Sequence, residues 1–187
     1  MVETIELETE RLRLRQWKSS DRQPFATMSA DPDVMAFFFT PLSKAESEAM
    51  IDRCQAFIAE IVWGVWAVEL KQTGQFIVLD GLHIPSNQLP FAPCVEIVWR
   101  IAKAFWNKGY ATEAAECALQ FGFDRLELDE IVAFTTLANQ RSQAVMKKLG
   151  MQLMPESFDH PAVPEGHELR RHCLYKLSQT QWKMRHN

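Results

Sequence analysis

The sequence predicts an α/β domain of the mixed α+β kind, with a central twisted mixed sheet of about six to seven strands flanked by helices. Three observations carry that expectation. Short strand-like runs alternate with longer helical periods, one Ala-rich stripe has a clear helical repeat, and a glycine sits where a strand-like run passes straight into that helix. At 187 residues the chain is long enough for one domain with a full core and short for two, so 1–187 is expected to be a single domain.

The elements can be justified in order. In "ERLRLRQW" (10–17), Leu12 and Leu14 alternate with Arg11, Arg13 and Arg15, the period of a half-buried strand. A helix from Ser20 to about Ala30 ends at "DPD". Ser43 and Glu46 have capping-box spacing, and Met50, Cys54, Phe57, Ile58 and Ile61 recur at helical spacing, giving a helix over roughly 43–61. Strand-like runs follow at 62–70, 76–84 and 95–101. Gly74 in "KQTGQ" suits a hairpin between the first two, and a Pro-rich loop from Pro85 to Pro93 joins the second to the third.

The stretch "FWNKGYATEAAECALQFG" (105–122) comes next, with Ala111, Ala114, Ala115, Ala118, Leu119, Gly122 and Leu126 on one stripe. A strand at 130–136 leads to a helix opened near Asn139 and stopped by Gly150, with Lys147 and Lys148 in its last turn. The tail reads as a turn-rich loop, "FDHPAVPEGH", then a last strand, "RRHCLYKL". Residues 178–187 are expected to fray.

Composition excludes several classes. A net charge of −4 gives no reason to expect nucleic acid or an anionic membrane as partner. No apolar run reaches the length of a membrane span, and the N-terminus lacks the apolar core of a signal peptide, which predicts a cytoplasmic protein. Cys54, Cys94, Cys117 and Cys173 form no CxxC pair and read as small buried hydrophobes. A zinc site from His160, His167 and His172 fits no usual ligand spacing, so no metal is expected.

A strand running into a helix puts the helix's free N–H groups and the positive end of its dipole at the end of the sheet, where they bind phosphate well. Gly109 lets backbone approach a ligand, Ala111 keeps the next turn small, and Lys108 adds a charge. Neither G-x-x-x-x-G-K-[ST] nor G-x-G-x-x-G is present. From these residues alone, a plain turn and a phosphate cradle stay equally open. Asn139 and Ser142 are likewise either ordinary helix caps or ligand-facing groups.

"VEIVWRIAKAFWNKGYATEAA" with "TTLANQRSQAVMKKLGM" resembles the acetyl-CoA-binding core of the GNAT acetyltransferase superfamily. The family's Q/R-x-x-G-x-G/A signature falls on Trp106, Asn107, Lys108, Gly109, Tyr110 and Ala111. "ETERLRLRQW", "ADPDVM" and the N-x-x-S-x-x-x-x-x-K-L-G run are similar to the RimJ/RimL-like branch, and the likeness extends from about residue 8 to 177. The chain departs from that pattern at Asn107, Val78 and Val98, where glycine is frequent, and at Met146, where many members carry a tyrosine.

The resemblance implies N-acetyl transfer from acetyl-CoA, as cosubstrate, to a primary amine such as a protein N-terminus or a small-molecule amine. It implies a splayed strand pair, 95–101 and 130–136, that admits the pantetheine arm. Backbone groups of Trp99, Arg100 and Ile101 would pair with the pantetheine amides. N–H groups from Asn107 to Thr112 would hold the pyrophosphate, Asn139 would bond the pantetheine, and Lys148 would reach a phosphate.

Less than about a thousandth of a lysine amine is neutral at pH 7, against roughly one-tenth of an α-amine, so a positioned base helps either acceptor. Glu96, which interrupts an apolar strand, is the candidate base; the alternative is an edge-facing carboxylate or one salt-bridged to a residue such as Arg100. A backbone N–H near Trp99 or Arg100 would meet the oxyanion. Ser142 matches the serine that serves the leaving thiolate in this branch, and plain capping is its alternative. Asp159 and His160 could form an acid–base pair, joined by His172, or a polar turn. "MAFFFTP" (35–41) either floors a substrate pocket or serves as core or loop anchor. The departures leave a second reading, an acetyl-CoA-binding regulatory module with little catalysis. A monomer or homodimer is expected.

Overall fold

A computed structural model describes residues 4–85 and 88–186. Residues 86 and 87 of the expected Pro-rich loop, and the last residue of the expected frayed end, lie outside the described residues. The elements are β1 (Leu7–Glu8), β2 (Leu12–Arg15), α1 (Arg22–Ala30), α2 (Lys44–Ile61), β3 (Val65–Leu70), β4 (Phe76–His83), β5 (Glu96–Ile101), α3 (Tyr110–Asp124), β6 (Glu130–Thr136), α4 (Gln140–Lys148), β7 (Gln152–Leu153), β8 (Phe158–Asp159), β9 (Arg171–Ser178) and α5 (Gln179–His186). The mixed α/β class is as the sequence predicts. Nine strands are described, and β1, β7 and β8 exceed the expectation because two residues are too short to show a period.

The chain divides into two units. The first comprises Met1–Leu82 and Val98–Ala118. Its strands pair antiparallel: Leu7 opposite Leu14, Leu12 opposite Leu70, and Val65 opposite Gly81, with a bulge at Val68 and Glu69. The Ala102 N–H donates to the Ile77 carbonyl (3.0 Å), which ties the exit of β5 to β4. The core gathers Trp17, Phe25, Met28, Ile51, Val65, Ala67, Phe76 and Leu79, and Val98 packs against it.

Local chemistry explains the boundaries of α2. The Glu46 N–H donates to Ser43 Oγ (3.2 Å) and the Ser43 N–H to Glu46 Oε2 (2.8 Å), the reciprocal box the spacing predicts. The expected strand at 62–70 begins later. Val62 takes a left-handed φ of 68° and gives its N–H to the Ile58 carbonyl (2.8 Å), so it closes the helix and β3 starts at Val65.

The second unit comprises His83–Ile97 and Leu119–Asn187. Here β5 and β6 run parallel with Glu96 opposite Val132. Strand β9 lies antiparallel to β6 from Glu130 opposite Ser178 to Thr136 opposite His172, and β7 and β8 both pair with β9. The expected frayed end is instead helix α5. Trp182, 4% exposed, stacks on Phe123 at 5.5 Å between ring centroids. One aromatic ring at the right turn is enough to hold a short helix by burial. Among the described residues no helix is long and apolar enough to cross a membrane.

Candidate active site

The expected site residues fall into two sets, one within each unit. In the first, a short 3-10 turn (Lys103–Phe105) links β5 to the turn before α3. Trp106 folds back and donates its indole N–H to the Ile101 carbonyl (3.0 Å). Asn107 and Gly109 then take left-handed φ values of 60° and 81°. Asn reaches this region by bonding locally, and Gly carries no Cβ penalty there. The Glu113 N–H donates to the Gly109 carbonyl (3.0 Å), the first bond of the helix, so the N–H groups just before it have no intrahelical acceptor.

Arg11, invisible as a site residue in the sequence, fixes this turn. Its Nε and Nη2 bond Glu113 Oε2 at 2.6 and 2.5 Å, its Nη1 donates to the Lys108 carbonyl (3.1 Å), and its guanidinium lies 4.5 Å from the Tyr110 ring centroid. Thr9 Oγ1 (2.5 Å) and the Arg11 N–H (3.0 Å) donate to Glu113 Oε1. Burial pushes the Glu113 carboxyl up, but these bonds and the Arg11 charge outweigh it and hold it below its ordinary value. The geometry fits a diphosphate: two left-handed residues, one of them a glycine, and helix N–H groups without an intrahelical acceptor, with a guanidinium pinning the backbone. A Cβ on Gly109 would come within 3.4 Å of Arg11 Nη2.

The departures from the family pattern have local explanations. Asn107 supplies the left-handed turn itself. Val98, partly buried, packs against the core, and Val78 is fully buried opposite Val68. On β5, Trp99 and Ile101 are half-buried, while the buried Arg100 side chain donates to Ser29 Oγ (3.1 Å).

In the second unit Glu96 is buried, and its Oε2 lies 2.7 Å from His83 Nε2. Burial raises the Glu96 carboxyl above its ordinary value, and the His83 hydrogen bond offsets only part of that rise. Sequence reasoning missed His83, because the loop between β4 and β5 hides that two strand ends meet. Asn139 caps α4, accepting from the Ser142 N–H (3.2 Å) and donating to Thr135 Oγ1 (3.0 Å). Ser142 is half-buried in the first turn, Lys148 is exposed in the last, and Met146 is buried in the core. The buried Tyr175 hydroxyl donates to Gln143 Oε1 (3.3 Å).

Asp159 and His160 do not pair. The Asp159 carboxylate bonds Arg171 Nη1 (3.1 Å) and lies 3.7 Å from Arg170 Nε, because β8 pairing sets Asp159 opposite Arg171. His160 packs beside His172 instead, with centroids 4.9 Å apart, against Phe134 and Phe158. Burial lowers both imidazoles; the charge of His172 lowers His160 further, and the bond to the Arg170 carbonyl offsets part of the fall at His172. Among the described residues no group of three His, Cys, Asp or Glu side chains is placed to hold a metal ion.

Comparison with known proteins gives these arrangements a family. A model described as "Acetyltransferase (GNAT) domain" matches residues 11–152. YkkB of Bacillus subtilis is 30% identical over 78% of this chain and 84% of that protein. The uncharacterized N-acetyltransferase YnaD of the same organism is 28% identical over 95% of this chain and 99% of its own length. The crystal structure of a GNAT-family acetyltransferase from Bacillus anthracis superposes with a TM-score of 0.78 at 23% identity, covering 94% of this chain and 99% of that one. With three quarters of its length inside the family model, the chain belongs to the GNAT acetyltransferase family.

Proposed function

We propose that the chain, acting as one acetyltransferase domain of the RimJ/RimL-like branch, moves the acetyl group of acetyl-CoA to a primary amine. The observation that carries this reading is the left-handed Asn107–Gly109 turn at the head of α3, pinned by Arg11. A relative from Aspergillus fumigatus, 26% identical over 94% of this chain and 77% of its own length, is named an FsC-acetyl coenzyme A-N(2)-transacetylase, which supports acetyl-CoA as donor. The reasons for a non-catalytic module weaken, since Val78 is core, Val98 packs against it and Asn107 makes the turn.

The first unit's residues bind the donor. Backbone N–H groups from Asn107 to Thr112 hold the pyrophosphate, assisted by Lys108, and the β5 backbone at Trp99, Arg100 and Ile101 pairs with the pantetheine amides. Within the second unit, Asn139 bonds the pantetheine arm, Lys148 reaches a phosphate, and Ser142 donates to the departing sulfur. The amine nitrogen attacks the thioester carbonyl, the C–S bond breaks, CoA leaves as the thiolate, and Glu96 accepts the proton the amine loses. Burial suits Glu96 to that task, because a carboxylate with a raised pKa is a better base, and His83 orients it.

Calorimetry with acetyl-CoA, followed by thiol release against an amine panel, tests the reading. Gly109→Glu is expected to abolish cofactor binding, and unchanged affinity would remove the assigned turn. Glu96→Gln is expected to lower turnover about 100-fold with cofactor affinity retained. Activity of the natural protein should fall as pH drops through the raised Glu96 pKa, and that acid limb should vanish in Glu96→Gln. Equal turnover of the two proteins from pH 6 to 9 would exclude Glu96 as base.

A further inference from the structure

Arg100 is 9% exposed, yet among the described residues no carboxylate lies within ion-pair distance of it. One of its five donors reaches Ser29 Oγ at 3.1 Å, and its buried Nε has no hydrogen-bond partner among the described residues. Two rings line the guanidinium: Phe38 at 4.4 Å and Phe25 at 5.7 Å from ring centroid to Cζ. Burial lowers Arg100 to about 10, so it carries its charge at neutral pH. A buried cation without a counter-ion is costly, and the structure offers it only a hydroxyl and aromatic faces.

Phe38 is 41% exposed and the adjoining Phe39 is 46% exposed. The run of phenylalanines therefore does not bury itself as core. Phe38, itself exposed, lies over the guanidinium face. The Arg100 side chain also leaves the strand whose backbone at Trp99–Ile101 is assigned above to the pantetheine, so a molecule held by it meets the donor-binding strand.

We propose that Arg100 binds a carboxylate of the acceptor, so that the preferred substrate is an amine that also carries a carboxylate, an amino acid or short peptide. This rests on the acetyl-transfer reading. A planar guanidinium presents parallel N–H donors that match a carboxylate edge to edge, and Nε is one of the free ones. A single cation in an aromatic setting balances one monoanion. A phosphate dianion requires more positive charge than the neighbours Phe25, Ser29, Phe38 and Cys54 supply.

The test compares kcat/KM for α-amino acids, β-alanine, γ-aminobutyrate and dipeptides with that for their carboxamides, read by thiol release. The natural protein should favour at least one carboxylate over its carboxamide by about tenfold or more. The ratio should collapse towards one in Arg100→Met and be partly kept in Arg100→Lys, with the loss in KM more than kcat. Equal ratios in all three proteins, or a preference for carboxamides, would overturn the proposal. A second measurement does not depend on turnover. With 15N-arginine labelling, the Arg100 Nε–H resonance, identified by its loss in Arg100→Lys, should shift when a carboxylate of the panel is added and stay fixed with its carboxamide. A shift without acetylation of any amine would keep the site and remove the acetyl-transfer reading. Acetyl-CoA binding with no shift by any carboxylate would remove the site alone.

Discussion

Two arginines are buried in the first unit, and they share no kind of partner beyond a hydrogen bond. Arg15, 3% exposed, pairs with both oxygens of Asp21 (2.7 and 2.9 Å), with Glu69, and with the Gln16 carbonyl (2.9 Å). Arg100 has one serine and two rings. The first is a closed network in which every charge is answered inside the protein. The second is a cation whose answer must come from outside. Burial of a charge therefore says little by itself, and its completed or missing coordination separates scaffold from site.

The comparison can be broken by substitution. The largest effect is expected for Arg15→Met, which leaves buried Asp21 without its cation and Glu69 with only Arg13 and Lys18, and should cost about 3–5 kcal/mol, read as a lowered denaturant midpoint. Burial pushes Glu69 up, but Arg15 and Lys18 outweigh it and hold its carboxyl below its ordinary value. Its stabilisation is thus present above the unfolded pKa of about 4.3 and is lost as pH falls through the folded value.

Asp80 has the opposite sign. It is fully buried, neither oxygen has a hydrogen-bond partner among the described residues, and burial raises its carboxyl well above the ordinary value. It is harmless while protonated in both states, below the unfolded value of about 3.9, and costs stability as pH rises towards the folded value. Asp80→Asn should therefore be more stable than the natural protein by about 1–3 kcal/mol at pH 7, with the advantage vanishing near pH 4 in parallel melts.

The smallest effect is expected for Arg100→Met, within about 1 kcal/mol of the natural protein, since no carboxylate is orphaned and an apolar chain suits the rings. If it costs as much as Arg15→Met, Arg100 is scaffold and the contrast fails.

The same contrast explains what the sequence disclosed. Helical periodicity located α2 and α3, strand-like runs located β6 and β9, and the ends of α4, the cap at Ser43 and the turn at Gly109 follow from local chemistry. Pairings between distant segments left no such trace. Arg11 and Glu113 are about a hundred residues apart, His83 reaches Glu96 across a loop, and Asp159 is drawn to Arg171 by strand pairing. Glu113 in particular reads as an ordinary acid in a helix's first turn. The candidate site residues were legible; the partners that hold them in place were not.

Helix α5 changes how the end of the chain should be handled. Arg185 donates to the Lys148 carbonyl (2.6 Å), and a Cβ on Gly150 would come within 2.5 Å of its Nη1. The last residues thus act as the stopper for α4, the helix that carries Asn139 and Ser142. Trimming the chain after β9, or crowding its end with a fused partner, would unplug that stopper, and faster amide exchange at Leu149 and Gly150 would register it before any loss of the whole fold.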